Sequence, residues 1–343
     1  MAKRVALALG SGGARGYAHI GVINELRGRG YEVVGIAGSS MGALVGGVYA
    51  AGSLDEFTEW AQTLTQRTML RLLDPSISAA GVLRAGKILD AVRDMLGDAT
   101  IEKLPIPYTA VATDLIAGKS VWLQRGPVDD AIRASIAIPG IVAPHLLDGR
   151  LLADGGILDP LPMAPIAAVN ADLTIAVSLS GTDTDLRVDE PTGLEMTPTR
   201  ERLNRLLRST SALLETPTAR SMLSRFGTHA EIGSAAEELE AAELATVGLD
   251  IDVDDPLVDP SRESPAPKLG SFAVMNRTIE ISQAALARHQ LAAYPPDLLI
   301  EIPRTACRSL DFHRAAELIE LGQELAARAL DSLNLDSVDP PDD

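Results

Sequence analysis

Sulfur is scarce in this chain of 343 residues, with Cys307 its one cysteine. Neither an intrachain disulfide framework nor a cysteine metal cluster can form, and a reduced intracellular setting fits. There are five histidines, His19, His145, His229, His289 and His313. They lack the spacing of a metal motif, and none stands at the end of an expected strand, where a triad histidine belongs. Aromatic residues make up 3% of the chain against 46% hydrophobic residues overall. That composition disfavours global disorder and points to an aliphatic core. No apolar run approaches the roughly twenty residues a transmembrane helix needs. Positive charge is also short: 30 Lys and Arg stand against 47 Asp and Glu, a formal net charge of −17. Such a balance disfavours nonspecific nucleic-acid binding and weakens simple attraction to an anionic bilayer.

What is present is a regular alternation of apolar runs, turns and helical spacing. Arg4 to Gly10 predicts a buried strand, although Lys3 and Arg4 ahead of apolar residues superficially imitate a signal peptide. Helical spacing over Tyr17 to Arg27 follows, then a strand over Glu32 to Ala37 and a helix from Met41. Residues 54–73 and 85–96 predict further helices. Strands are expected at Tyr108–Thr113, Ser120–Leu123, Leu151–Ala153, Leu173–Leu179 and Leu298–Ile302. This order predicts an α/β fold of three layers, a central mostly parallel sheet with helices on both faces.

Residues 1–180 read as the catalytic core. Residues 181–270 read as an acidic insertion or cap, a loop over 181–200 and helices over 201–225 and 234–246. Residues 271–330 are expected to complete the main domain, with helices over Phe272–Ala292 and His313–Leu330. An acidic tail over 331–343 is expected to be solvated and disordered.

Two turns follow the first two strands. Gly10-Ser11-Gly12-Gly13-Ala14-Arg15-Gly16 offers consecutive backbone amides with little side-chain bulk over them, a nest for an oxyanion with Gly12 and Gly13 as donors. Arg15 would brace the loop, and Gly16 permits close packing. The turn is neither a dinucleotide fingerprint, because Arg15 stands where glycine is needed, nor a P-loop, because the lysine ending is missing. Gly38-Ser39-Ser40-Met41-Gly42 has the spacing of a nucleophile elbow, with Ser40 presented at the start of a helix. The plain alternatives are a tight crossover for the first turn and a serine helix cap for the second.

Asp154-Gly155-Gly156, after the short strand Leu151–Ala153, offers a carboxylate able to accept a proton from serine if it is positioned and desolvated. A structural aspartate turn is the plain alternative.

Taken in order, Gly10–Gly16, Gly38–Gly42 and Asp154–Gly156 resemble the patatin-like phospholipases, of the compact bacterial type. Ala134-Ser135-Ile136-Ala137-Ile138-Pro139 resembles the family's segment ahead of the aspartate. The likeness covers residues 4–180 well and 272–330 more loosely. It implies a Ser-Asp dyad in place of a triad: Ser40 as nucleophile, Asp154 as general base, Gly12 and Gly13 as the oxyanion hole. Gly10, Ser11, Arg15, Gly16, Gly38, Gly42, Gly155 and Gly156 would support them. The chain departs from the family at Asp159, where asparagine is common, and at Ser11, which interrupts the run of glycines.

The resemblance implies a lipid or other acyl-ester substrate, no metal and no cofactor. The expected location is the cytoplasm, with any contact at the inner membrane surface peripheral. Leu70–Leu73 and Ile138–Val142 are candidates to line an acyl site, with core packing the plain alternative. Two other readings stay open: an α/β-hydrolase triad completed by His229, His289 or His313, and a lipid-binding module without catalysis.

Overall fold

The computed structural model describes residues 2–65, 68, 86–139, 141–181 and 271–335. Contacts divide the chain into one unit of Met1–Leu186 with Ile279–Asp343 and a second of Arg187–Thr278, in which 271–278 are described. The helices expected at 201–225 and 234–246, the tail from 336 and His229 lie outside the described residues, as does Leu70–Leu73.

Among the described residues, eight strands form one mixed sheet. They are β1 (Arg4–Leu9), β2 (Glu32–Ser39), β3 (Tyr108–Asp114), β4 (Lys119–Leu123), β5 (His145–Leu147), β6 (Arg150–Asp154), β7 (Leu173–Gly181) and β8 (Leu298–Pro303). The order is β5-β6-β3-β2-β1-β7-β8, with β4 also paired to β3. From β3 to β8 every pairing is parallel, while β4 and β6 run antiparallel to β3, and β5 to β6.

Side-chain size alternates along the central strands and sorts the two faces. Val5, Leu7 and Leu9 of β1 point into the larger cluster and Ala6 and Ala8 into the smaller one. Strand β7 repeats this with Ile175, Val177 and Leu179 against Ala176. On the large-residue face lie α1 (Ala18–Gly28), α2 (Met41–Ala50), α5 (Val128–Ser135) and α7 (Ala315–Leu335), through Ile20, Val45, Ile132 and Leu318. On the alanine face lie Ala287 and Leu291 of α6 (Ser271–Ala293) and the segment of Leu161 and Ile166. Each leucine fully buried in this way contributes on the order of 2 kcal/mol. Helix α3 (Leu54–Gln62) packs near α2, and α4 (Gly86–Leu96) near α5 and α3.

Some element bounds differ from the sequence reading. The chain enters α1 through a 3-10 turn, Gly13–Tyr17, and α3 ends at Gln62 with a turn at Thr63. Strands β2 and β3 run two and one residues further than expected, to Ser39 and Asp114. Helix α5 and strand β5 were not anticipated.

Candidate active site

Strand β3 brings the serine and aspartate turns together. One of its edges pairs with β4 over residues 110–114, so β2 and β6 must share the other. On that edge Ser39 of β2 sits opposite Val111 and Asp154 of β6 opposite Ala112. The strands approach from opposite directions and meet end to end at adjacent β3 positions. Ser40, one residue past β2, and Asp154, the last residue of β6, are thereby forced together.

The Ser40 hydroxyl donates to Asp154 Oδ2 at 2.5 Å, with both residues buried. The other carboxylate oxygen, Oδ1, accepts from the Gly156 amide at 2.7 Å. Burial pushes the Asp154 carboxyl up to about 6, against the opposing pull of the Ser40 and Gly156 hydrogen bonds. A carboxylate held this close to neutrality is a better proton acceptor than an ordinary one.

Ser40 has φ 54° and ψ −121°, a conformation that side chains other than glycine rarely adopt and that costs about 1–3 kcal/mol. The sharp turn lifts its side chain clear of the backbone and leaves its carbonyl to accept from Ala43 and Leu44 at the start of α2. Surrounding contacts hold the strain. The Ser40 amide donates to Ser135 Oγ at 2.9 Å, and that hydroxyl donates to the Val111 carbonyl at 2.6 Å. Two residues later Ala137 accepts the Asp154 amide at 2.9 Å, and Thr113 Oγ1 donates to the Asp154 carbonyl at 2.9 Å. The segment Ala134–Pro139 therefore holds both partners.

The flanking glycines mark close backbone approaches. A Cβ at Gly42 would strike the Leu9 carbonyl, and one at Gly38 would strike Gly42 itself. One at Gly155 would strike Val111 O, and one at Gly156 would come 2.7 Å from Ser11 Oγ. Gly16 lies against Met41, and Gly10 against the Val177 carbonyl. These contacts place the glycine turn directly beside the serine turn and the Asp154 turn.

Within the glycine turn the amides of Gly10, Ser11 and Ala14 donate to Val177, Pro160 and Ser309. Those of Gly12 and Gly13 are left without an acceptor among the described residues. Gly13 needs its glycine: φ is 59°, and a side chain would meet the Ser309 carbonyl. Arg15, buried, donates to the carbonyls of Arg304 at 3.1 Å and Cys307 at 3.4 Å and pairs with Glu280 at 3.3 Å. Ser309 Oγ donates to the same Glu280 oxygen at 2.9 Å. On the inner side His19 Nε2 donates to the Gly10 carbonyl at 2.8 Å. Burial pulls its imidazole down to about 4, so it is neutral at physiological pH.

Sequence reasoning gave no role to Ser135, Thr113, Glu280 or Ser309, and excluded His19 only from a metal motif and a triad. Ser135 was within reach, because it lies in the quoted segment ahead of the aspartate. Asp159 is buried, and burial pushes its carboxyl up to about 6. Ile141 is buried, with Ile138 and Val142 half-buried around it. His145 faces Asp130 at 3.3 Å, and His289 and His313 are exposed. Among the described residues no histidine bonds Ser40 or Asp154, and no group of side chains could hold a metal ion.

The description "Patatin-like phospholipase" matches residues 7–167. An uncharacterised NTE family protein of Mycobacterium tuberculosis is 64% identical over 345 residues, spanning 97% of this chain and 93% of that one. The chain belongs to the patatin-like, NTE family. Two longer relatives are each 32% identical over 190 residues, or 53% of this chain. They are neuropathy target esterase sws of Drosophila melanogaster and patatin-like phospholipase domain-containing protein 6 of Mus musculus. This chain covers 13% of the first and 14% of the second. VipD from Legionella pneumophila superposes over 96% of this chain and 67% of its own at TM-score 0.41 and 15% identity, too loose a likeness to bear on the site. Patatin-like membership supports lipid esterase or phospholipase activity in general. Among the described residues no helix is long and apolar enough to cross a membrane.

Proposed function

We infer that this patatin-like chain is a serine acyl hydrolase that cleaves carboxylic esters of lipids, of phospholipase A or lysophospholipase type, through a Ser40–Asp154 dyad. The observation that carries the reading is the buried 2.5 Å hydrogen bond from Ser40 to a carboxylate pushed toward neutrality. Asp154 takes the Ser40 proton as Oγ attacks the acyl carbonyl, and the electron pair of the C=O bond moves onto oxygen. The Gly12 and Gly13 amides receive that oxyanion. The tetrahedral adduct collapses with Asp154 returning the proton to the departing alcohol or lysophospholipid. Water, deprotonated by the same carboxylate, then attacks the acyl-serine; the bond from Ser40 Oγ to the acyl carbon breaks, Asp154 returns the proton to Oγ, and the fatty acid leaves. A histidine triad has no supporting contact among the described residues, since Ser40 already uses Asp154 directly.

The test is hydrolysis of a short-to-long acyl ester series by wild type, Ser40→Ala and Asp154→Asn, with folding checked for each. Activity lost in both folded variants is the expected result, and the chain-length profile identifies the substrate class. An active wild type with either variant equally active would overturn the dyad. A wild type inactive on every ester would overturn the hydrolase reading.

A further inference from the structure

We propose that two neighbouring hairpin tips, residues 115–118 between β3 and β4 and residues 148–149 between β5 and β6, form the edge by which this protein docks on a lipid surface. The inference rests on the hydrolase reading above and names where its lipid is met.

The topology sets these tips over the site. The last β2–β3 pair is Ser39 with Val111, whereas β3 continues to Asp114. At about 3.3 Å per residue the first tip stands roughly 10 Å beyond Ser39, on the carboxyl side of the parallel strands where the candidate site lies. Strand β6 runs beside that extension, so its own turn comes level with it. Asp114 pairs with Leu152, and the Leu115 amide donates to the Leu151 carbonyl at 2.9 Å.

Both turns are internally fixed. Asp114 Oδ1 accepts from the amides of Ile116 at 3.0 Å and Ala117 at 2.9 Å, which turns this carboxylate inward. Asp148 and Gly149, with φ of 50° and 75°, make a tight two-residue hairpin turn. Aliphatic side chains stand exposed at both: Leu115 and Ile116 within the first turn, and Leu146 on β5, two residues ahead of the Asp148-Gly149 turn. Ile116 is 82% exposed and Leu146 69%, and among the described residues no other large hydrophobic exceeds 56%. Leu115 beside them is exposed as well.

Charge favours the same occupant. Lys119 and Arg150, both exposed, stand at the bases of the two turns, with Asp148 as the exposed acid between them. With the Asp114 carboxylate turned inward, the exposed charges of the two turns are two cations and one acid, on a chain of net charge −17. Leu115 and Ile116 at the first tip and Leu146 beside the second suit contact with the acyl boundary, with Lys119 and Arg150 alongside to meet the lipid phosphates.

The test is partition of the full chain onto vesicles of phosphatidylcholine with one-third phosphatidylglycerol, measured by flotation. Ser40→Ala serves as the background so that the vesicles are not consumed. Ile116→Asp with Leu146→Asp is expected to lower the partition coefficient at least tenfold, and Lys119→Glu with Arg150→Glu severalfold, the latter only on anionic vesicles. In the Ser40 background's parent, both pairs should leave hydrolysis of a soluble short-chain ester unchanged. Partition equal to the unsubstituted chain in the aspartate pair would overturn the inference. So would light scattering that shows a dimer which the aspartate pair splits, because the tips would then face a second copy. Tip-dependent partition with no ester hydrolysis would keep the docking edge and remove the hydrolase reading; the reverse pattern would do the opposite.

Discussion

The two halves of the candidate site are held by different parts of the chain. Ser40 and Asp154 are fixed by residues between Val111 and Gly156: the Ser135 hydroxyl, the Val111 and Ala137 carbonyls and Thr113. The glycine turn is fixed largely from far along the sequence, by Arg304, Cys307, Ser309 and Glu280 acting on Arg15 and Ala14. Strand pairing alone thus brings the proposed nucleophile and base together, whereas the proposed oxyanion donors depend on the C-terminal segment closing over the sheet. The first half should respond to substitution as chemistry and the second as placement.

The largest effects should fall on the first half. Ser40→Ala and Asp154→Asn are each expected to lower kcat on the order of 10⁴-fold, with the double variant little worse than either, because the two act as one unit. A multiplicative loss in steady-state kinetics would separate them.

Next comes the glycine turn. In Gly13→Ala the side chain meets the Ser309 carbonyl at a φ that alanine resists, so the turn must shift. Loss of one donor costs roughly a hundredfold or more in kcat. If kcat held steady in the folded variant, the oxyanion would have to be received elsewhere.

Ser135→Ala comes third. It leaves the Ser40 amide without its buried acceptor, a loss of about 1–3 kcal/mol. Both a lower melting temperature and a roughly tenfold fall in kcat at constant KM are expected. Stability lost with kcat intact would make Ser135 a structural residue only.

Glu280→Gln should give the smallest change, a few-fold in kcat, because Arg15 keeps its two backbone carbonyls. Comparing the Ser135 and Glu280 variants directly tests whether the two halves differ as described.

Proton linkage sharpens the first half further. Asp154 goes from an ordinary 3.8 to about 6 on folding, so its favourable contribution is complete below about pH 4 and is lost as pH rises through 6. The shift corresponds to about 3 kcal/mol at neutral pH. Asp154→Asn should therefore be more stable than wild type at pH 7 by an amount of that order, with little difference near pH 3 in chemical denaturation. Asp159, raised to the same value, keeps a similar slope in both proteins. In wild type, kcat/KM should climb with pH through about 6 as Asp154 ionises.

The same contrast governs what could be read from sequence. The sheet was legible because Val5, Leu7 and Leu9 alternate with Ala6 and Ala8, and because each turn motif directly follows a strand. The turns were legible because close backbone contacts demand glycine at fixed spacing around Ser40 and Asp154. Helix α5 was overlooked although Val128, Ala131, Ile132 and Ser135 mark one buried face and Asp129 and Asp130 its first turn. Strand β5, with three residues, is too short for any period to register. Glu280 and Ser309 gave no local signal, since their part arises only when residues 265 and 294 positions from Arg15 fold back upon the glycine turn.

The central claim is that Ser40 carries the acyl group and that Asp154 activates it without a histidine. Rapid quench of wild type with an activated acyl ester, followed by peptide mass spectrometry, tests this most directly. The account predicts an acyl adduct on the peptide containing Ser40 that forms within the first turnover and fails to accumulate in Asp154→Asn. An adduct on any other residue, or one formed equally fast in Asp154→Asn, would contradict it.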